Sequence, residues 1–338
     1  MGEMTNLEEL KGFLSQPRRI IITSHINPDG DAMGSSLALY NYLQPLGHKV
    51  SVIVPSNYPD FLKWMPNDGK VYIYPYQQSE SQRLIAEAEL IFCLDYNALS
   101  RIGDVGTAVA ANPCDKVLID HHLFPDDFAR YVLHRVEASS TAELVYEFFE
   151  QLGVASKVTA DIAACLYTGI LTDTGGFQYP NTSASVHRIV VQLLDTGMDH
   201  NKIYRDVFNS FTEMRLRMFG YCITEKLRIY PEYKSALISL SREELQRFQV
   251  RSGDTEGIVN YPLKIQGINF SVFIADRNEV IKLSFRSVGS FDVNQFSRAH
   301  FNGGGHVNAA GGQSKEPLEK VIAKFEEVLP KYKEQLMY

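Results

Sequence analysis

The sequence predicts a two-domain α/β chain in which a parallel sheet, covered by helices on both faces, precedes a smaller α/β domain. Three observations carry this. Short apolar runs end in residues capable of chemistry: Ile20-Ile21-Ile22 leads to Ser24-His25, Leu90-Ile91-Phe92-Cys93-Leu94 to Asp95, and Val117-Leu118-Ile119 to Asp120. Helix-like segments alternate with these runs, and that alternation makes parallel strands whose carboxyl ends gather ligands. From about Ala236 the pattern changes to β-like runs, and a chain of 338 residues is longer than one typical domain.

Taken in order, the three runs are short, continuous and bounded by polar residues, as strands buried on both faces should be. Residues 32–46 read as a helix stopped by Gly47. Residues 140–152 read as a structural helix, because Ser140-x-x-Glu143 has capping-box spacing and Leu144, Val145, Phe148 and Leu152 recur at helical intervals. An apolar helix over 159–171 delivers Asp173, and Gly175-Gly176 stops it. Residues 183–229 read as mainly helical, followed by β-like runs at 236–240, 270–275 and 280–285, a Gly-rich segment, and a final helix over 317–336. The expected boundaries are a catalytic domain over 1–195, a helical linker over 196–229 and a substrate-binding domain over 230–338.

Composition narrows the function. Hydrophobic residues at 45% and charged residues at 22% are values of a soluble folded protein. A formal net charge of −7 argues against nonspecific duplex binding, which needs many Lys and Arg on phosphates. A small anionic substrate is compatible with that charge, since metal cations can supply the positive field locally. Cys93, Cys114, Cys165 and Cys222 form no C-x-x-C pair and read as reduced core thiols. No apolar run approaches the ~20 residues of a membrane span, and residues 1–19 lack the apolar stretch of a secretory signal. The expected location is the cytoplasm.

Three constellations carry chemistry. His25-x-x-x-Asp29-Gly30-Asp31 leaves a strand and enters a helix, and its imidazole and two carboxylates suit Mn²⁺ or Mg²⁺. Pro28-Asp29-Gly30 alone would be a turn, but that leaves His25 idle. Asp120-His121-His122 follows another strand, where adjacent histidines point in different directions, so one can bind metal while the other reaches a substrate oxygen or a carboxylate behind the ligands. Asp95 and Asp173 could each be a helix cap or turn residue taken singly. Together, His25, Asp29, Asp31, Asp95, His121 and Asp173 supply enough ligands for two divalent ions if one carboxylate bridges, and such a pair suits phosphoester hydrolysis. In the third, Gly303-Gly304-Gly305-His306 with Arg286 on a preceding strand, backbone N–H groups and a helix N-terminus could bind phosphate, or the glycines could serve a flexible loop and tight packing. His48, His134, His187, His200 and His300 read as surface or packing residues.

These motifs resemble those of the DHH phosphoesterases, a family named for the triplet seen here as Asp120-His121-His122, in the subgroup with a DHH-associated C-terminal domain. The resemblance spans nearly the whole chain and is strongest to the short two-domain nano-RNase/pAp phosphatase branch. It implies that His25, Asp29 and Asp95 bind one ion, that Asp31, Asp95, His121 and Asp173 bind the other, and that Asp95 bridges. It further implies that His122 faces the scissile phosphate and that Arg286, Gly304, Gly305 and His306 hold substrate across an interdomain cleft. RecJ-type members carry additional domains, membrane-bound cyclic dinucleotide enzymes carry transmembrane segments, and pyrophosphatases lack this Gly-rich pattern.

The expected activity is therefore hydrolysis of short single-stranded RNA and of 3′-phosphoadenosine 5′-phosphate (pAp) by attack of a metal-bridging hydroxide. The catalytic residues would be Asp95, Asp120, His121 and His122, with Mn²⁺ as the foremost cofactor and Mg²⁺ or Co²⁺ as alternatives. Rival readings are a phosphodiesterase for pApA or a cyclic dinucleotide, an exopolyphosphatase or pyrophosphatase, and a non-catalytic nucleotide sensor. No membrane or stable protein partner is implied, and a homodimer is left open.

Overall fold

The computed structural model describes residues 2–251 and 253–337, which form two units, Met1–Ser210 and Phe211–Tyr338. In the first unit, six strands form one sheet: β1 (Arg19–Thr23), β2 (Lys49–Val54), β3 (Tyr72–Ile73), β4 (Leu90–Leu94), β5 (Asp115–Asp120) and β6 (Tyr131–His134). Their order is β3-β2-β1-β4-β5-β6 and every pairing is parallel. The chain runs outward from β1 to β3, then crosses back to place β4 on the other side of β1. Strand order therefore reverses between β1 and β4, and a crevice opens beyond the carboxyl ends of such a pair. β4 is buried along its whole length, which is why its sequence is a continuous apolar run rather than an alternation.

Helices of this unit are α1 (Leu7–Leu14), α2 (Gly30–Leu43), α3 (Gln78–Ala86), α4 (Gly103–Ala111), α5 (Thr141–Gln151), α6 (Ala160–Asp173), α7 (Ala184–Leu194) and α8 (His200–Phe208). α2 begins two residues before the predicted helix because the Asp29 carboxylate caps it, accepting from Asp31 N and Ala32 N. It ends in a 3₁₀ turn, Gln44–Leu46, that Gly47 closes at φ 89°. α2 packs on α6 at glycine contacts: a Cβ on Gly34 would lie 2.5 Å from Cys165 O and 2.9 Å from Gly169 N. Main chain fills the space a side chain would take, and two helices that carry candidate ligands are thereby brought together.

The second unit holds α9 (Glu213–Tyr221), β7 (Leu227–Tyr230), β8 (Ser235–Leu240), α10 (Arg242–Arg247), β9 (Phe270–Asp276), β10 (Ile281–Ser287), α11 (Val293–His300), β11 (Gly304–His306), β12 (Ala309–Ser314), α12 (Leu318–Val328) and α13 (Lys333–Met337). Its sheet has the order β11-β12-β10-β9-β8-β7, antiparallel except for β8 on β9. Phe270, Phe285, Phe291, Phe296, Phe301 and Phe325 fill its core. The predicted helical stretch 183–229 is broken into α7, α8 and α9, and β7 already begins at Leu227. The predicted single helix at the end is interrupted by a 3₁₀ turn, Leu329–Tyr332, where Pro330 lacks the N–H that a continuing helix needs. Among the described residues, no helix is long and apolar enough to cross a membrane.

Candidate metal centre

The three strand ends read from the sequence lie side by side, since β1, β4 and β5 are neighbours in the sheet. His25 sits two residues past β1, Asp95 directly after β4, and Asp120 ends β5 with His121 and His122 beyond it. α2 adds Asp29 as its N-cap and Asp31 in its first turn, while Asp173 is the last residue of α6. A carboxylate at a helix C-terminus opposes the helix dipole, so Asp173 is placed against local electrostatic preference. Asp95 has φ 63°, left-handed backbone that a residue with a side chain rarely adopts, and strain of that kind clusters at functional sites.

The side chains converge. His25, Asp29 and Asp95 present ligand atoms within 4.8 Å of one another, as do Asp31, His121 and Asp173, and Asp95, Asp120 and His122. Asp95 stands between the first two groups: its Oδ2 is 3.2 Å from His25 Nε2 and its Oδ1 is 3.5 Å from His121 Nε2. His121 Nε2 is also 3.5 Å from Asp173 Oδ2 and 3.8 Å from Asp31 Oδ2. Asp31, Asp95, His25 and His121 are all buried.

Hydrogen bonds aim these groups. His25 Nδ1 donates to Ile26 O at 2.9 Å and His121 Nδ1 to Ala138 O at 3.2 Å, because a carbonyl can only accept. Each ring is thus turned so that Nε2 faces the carboxylates, the arrangement by which metal-binding imidazoles are oriented. His122 is turned differently: Nδ1 donates to Asp120 Oδ1 at 2.8 Å and its main-chain N donates to Asp120 Oδ2 at 3.2 Å. Its Nε2 lies on the far side of the ring from Asp120.

Burial and mutual charge perturb the whole group. Burial opposes protonation of His25, yet hydrogen bonds and charge from Asp29 and Asp95 outweigh it and raise its pKa well above the usual value. For His121, burial is again outweighed, by Asp95, Asp173 and Asp31, and its pKa is pushed up to about 10. Burial and neighbouring carboxylates raise Asp31 and Asp173 well above the ordinary range. Burial acts in the same direction on Asp95, but hydrogen bonds from His121 and His25 hold it well below that range. Four carboxylates crowded together, Asp31 and Asp95 of them buried, call for cations, and the oxygen-rich set with two imidazoles suits hard or borderline divalent ions.

Other contributors carry only a faint signal in the sequence. The helix read as purely structural, α5, points its N-terminus at the site: Thr141 N donates to Asp31 Oδ2 at 2.6 Å and Ala142 N to Asp31 Oδ1 at 2.8 Å. Thr141 Oγ1 donates to Asp95 Oδ1 at 3.0 Å. The Ser139-Ser140-Thr141 hydroxyl run ahead of an apolar helix was the available signal. His134, read as a surface or packing residue, holds the chain at the triplet through Nε2 to His122 O at 2.6 Å.

The second unit carries the remaining candidates. Arg286 lies on β10, opposite Ala309 of β12 and on the face away from buried Phe285, whose carbonyl accepts from Arg286 Nη1 at 3.0 Å. Gly304, Gly305 and His306 form β11, so this segment is a strand pairing with β12 rather than a loop running into a helix. Side chains are excluded there: a Cβ on Gly305, at φ 152°, would lie 2.5 Å from Ala309 O.

Comparison with known proteins agrees with the fold and the motifs. Residues 19–170 match the family model described as DHH family, N-terminal domain, and residues 236–334 match the DHHA1 domain. A Thermus thermophilus protein named bifunctional oligoribonuclease and PAP phosphatase NrnA is 31% identical over 298 residues, which span 88% of this chain and 84% of that protein. The crystal structure of an exopolyphosphatase-related protein from Bacteroides fragilis superposes with a TM-score of 0.94 at 44% identity, covering 98% of this chain and 97% of that one. RecJ from Thermus thermophilus, solved in complex with Mn²⁺, shares the fold at a TM-score of 0.54 and 12% identity, over 98% of this chain and 55% of that one.

Proposed function

The chain belongs to the DHH family and is a phosphoester-hydrolysing enzyme, and from that premise we propose that it uses two divalent ions, foremost Mn²⁺, to degrade short RNA oligonucleotides and dephosphorylate pAp. One observation carries the two-ion reading: Asp95 turns one oxygen toward His25 and the other toward His121, with Asp29 on the first side and Asp31 and Asp173 on the second. His25, Asp29 and Asp95 would hold one ion, and Asp31, Asp95, His121 and Asp173 the other. When bound, such a pair supplies a water of lowered pKa and positive charge for the phosphoryl oxygens.

The chain's own residues then divide the remaining work. Asp120 fixes the His122 ring through Nδ1 and turns Nε2 to the far side of the ring; when the ring carries a second proton, on Nε2, that N–H would donate to a phosphate oxygen or pass the proton to the leaving group. Cations entering the pocket would displace the protons that its crowded imidazoles and carboxylates hold, and would give an anionic substrate a locally positive field. Arg286, Gly304, Gly305 and His306 are the second unit's candidates for holding a terminal phosphate. The two-activity name of the Thermus relative supports the choice of substrates.

A substrate panel with Mn²⁺ tests this directly. Mononucleotides released from an RNA trimer, and AMP from pAp, are the expected products. Turnover confined to pApA, cyclic di-AMP, polyphosphate or pyrophosphate would replace the substrate assignment. No turnover of any of these would favour a nucleotide sensor.

A further inference from the structure

Four of the candidate ligands answer to one short stretch, 138–142, at the entry to α5. Ala138 O accepts from His121 Nδ1, and Ser139 O accepts from the Asn181 amide, which also donates to Asp173 O. The amides of Thr141 and Ala142 take one Asp31 oxygen each, and the Thr141 hydroxyl takes Asp95 Oδ1. The stretch is itself clamped, since Ser139 N donates to Glu143 Oε2 at 2.6 Å while Arg135 bridges Glu143 and Glu147 at 3.2 and 2.5 Å. Arg135 N in turn donates to Asp120 O at 3.3 Å, joining this clamp to β5.

The two carboxylates at the heart of the site are held by different means. Asp31 is fixed by main-chain donors on both oxygens, a hold that substitutions at 141 or 142 other than proline leave in place. Asp95 has Thr141 as its neutral side-chain donor, on a residue with no exposed surface; its other side-chain neighbours are the imidazoles of His25, His121 and His122. Those rings are the groups that cations and substrate would engage, so their hold on Asp95 is not independent of what is bound. The hydroxyl is independent of it. It also acts on Oδ1 alone, the oxygen facing His121, and so belongs to the side that holds Asp31 and Asp173. The other side relies on Asp29, whose side chain is 46% exposed, and on Asp95 Oδ2.

We propose that Thr141 is a positioning residue: by fixing the rotation of the Asp95 carboxylate, its hydroxyl pre-organises the cation site formed with Asp31, His121 and Asp173 and makes it the tighter of two unequal sites. This rests on the two-ion reading above. A pre-organised ligand set spends less of its binding free energy on ordering side chains, so this site fills first. Loss of the hydroxyl leaves Asp95 free to turn while the Asp31 hold and the α5 backbone stay as they are.

The test is Mn²⁺ titration of the full chain, read by calorimetry and by the electron-spin signal of free Mn²⁺, without substrate. Wild type should show two classes of site. Thr141→Val, of equal shape but without the hydroxyl, should weaken the tighter class about tenfold, the scale of losing a group that orients a metal ligand, and leave the weaker class little changed. Thr141→Ser should restore the tighter class, and the metal-free melting temperature should be the same in all three. Unchanged affinities in Thr141→Val, weakening confined to the looser class, or failure of Thr141→Ser to rescue would overturn the proposal. If Thr141→Val and Thr141→Ala both fail to fold, the hydroxyl is a structural group and the proposal falls. Wild type that binds fewer than two ions would instead overturn the two-ion reading, and this inference with it.

Discussion

Gly169 on α6 approaches Asp31 so closely that a Cβ there would come within 2.7 Å of Asp31 Oδ1 and 2.6 Å of Ala142 Cβ. Glycine inside a helix costs about 1 kcal/mol relative to alanine, and here the space behind the carboxylate requires it. Gly169→Ala is therefore expected to destabilise by about 1–3 kcal/mol through overpacking and to weaken Mn²⁺ binding, because Asp31 must move. Gly34→Ala, which would meet Cys165 O at 2.5 Å on the same helix pair, is the control. It should lower the melting temperature comparably with a smaller loss of affinity. Equal affinity losses in both would show that the helix spacing, not the carboxylate contact, sets binding.

Asp95→Asn separates charge from shape. Asn tolerates left-handed backbone, so the φ of 63° at this position is kept and the fold should survive. One amide cannot offer two anionic oxygens, one to each side. Activity on pAp should fall by more than about a hundredfold, beyond the ten- to hundredfold typical of residues that only support ligands. Circular dichroism checks the fold and initial rates check the loss; a variant retaining a tenth of wild-type activity would exclude Asp95 as a shared ligand.

Metal binding should release protons and stabilise the chain. With His121 pushed up to about 10 in the cation-free state, its ring is protonated at neutral pH, and Asp31 and Asp173 are shifted the same way. An ion that takes the His121 lone pair must expel its proton, and the upward shifts of Asp31 and Asp173 act in the same direction, so apparent affinity rises with pH, by up to about tenfold per unit for each proton released. Calorimetry in buffers of different ionisation enthalpy between pH 6.5 and 8.5 counts them, and a flat profile would contradict the charge arrangement. Chelation at metal concentrations of about 100 times Kd should remove roughly 2.7 kcal/mol of stability, visible as a lower melting temperature.

The parts legible in the sequence are those that depend on burial and strand ends. β1, β4 and β5 are apolar because both faces are covered, and each stops where a polar side chain must enter the crevice. β6 is only four residues long, too short to stand out in the sequence, although Arg135 beyond it ties β5 to α5. The Gly-rich segment carried a signal of close approach but not of its partner. A Cβ on Gly303 would lie 1.9 Å from Gly311 O, so the glycines admit another strand's main chain. The α5 helix shows the same limit in sharper form. Its Ser140-x-x-Glu143 spacing announces a cap, and Ser140 Oγ does accept from Glu143 N, but Glu143 reaches Ser139 N instead of closing the box on Ser140. Nothing local could report that the next two amides serve Asp31, 110 residues earlier.

Asp120 accepts on both oxygens from one residue, the ring Nδ1 and the main-chain N of His122, and is fully buried. Asparagine can accept from only one of these donors and presents an N–H₂ to the other. Asp120→Asn therefore either forces His122 into the other tautomer, with the proton on Nε2 and Nδ1 accepting from the new amide, or leaves a buried N–H unpaired at about 1–3 kcal/mol. Either outcome strikes His122 while leaving His25, Asp31 and Asp173 untouched. The expected result is a kcat on pAp lowered ten- to hundredfold, with Mn²⁺ still binding at two equivalents and within a few-fold of wild-type affinity. Loss of one equivalent would make Asp120 a metal ligand in its own right, and the division of labour within Asp120-His121-His122 would have to be redrawn.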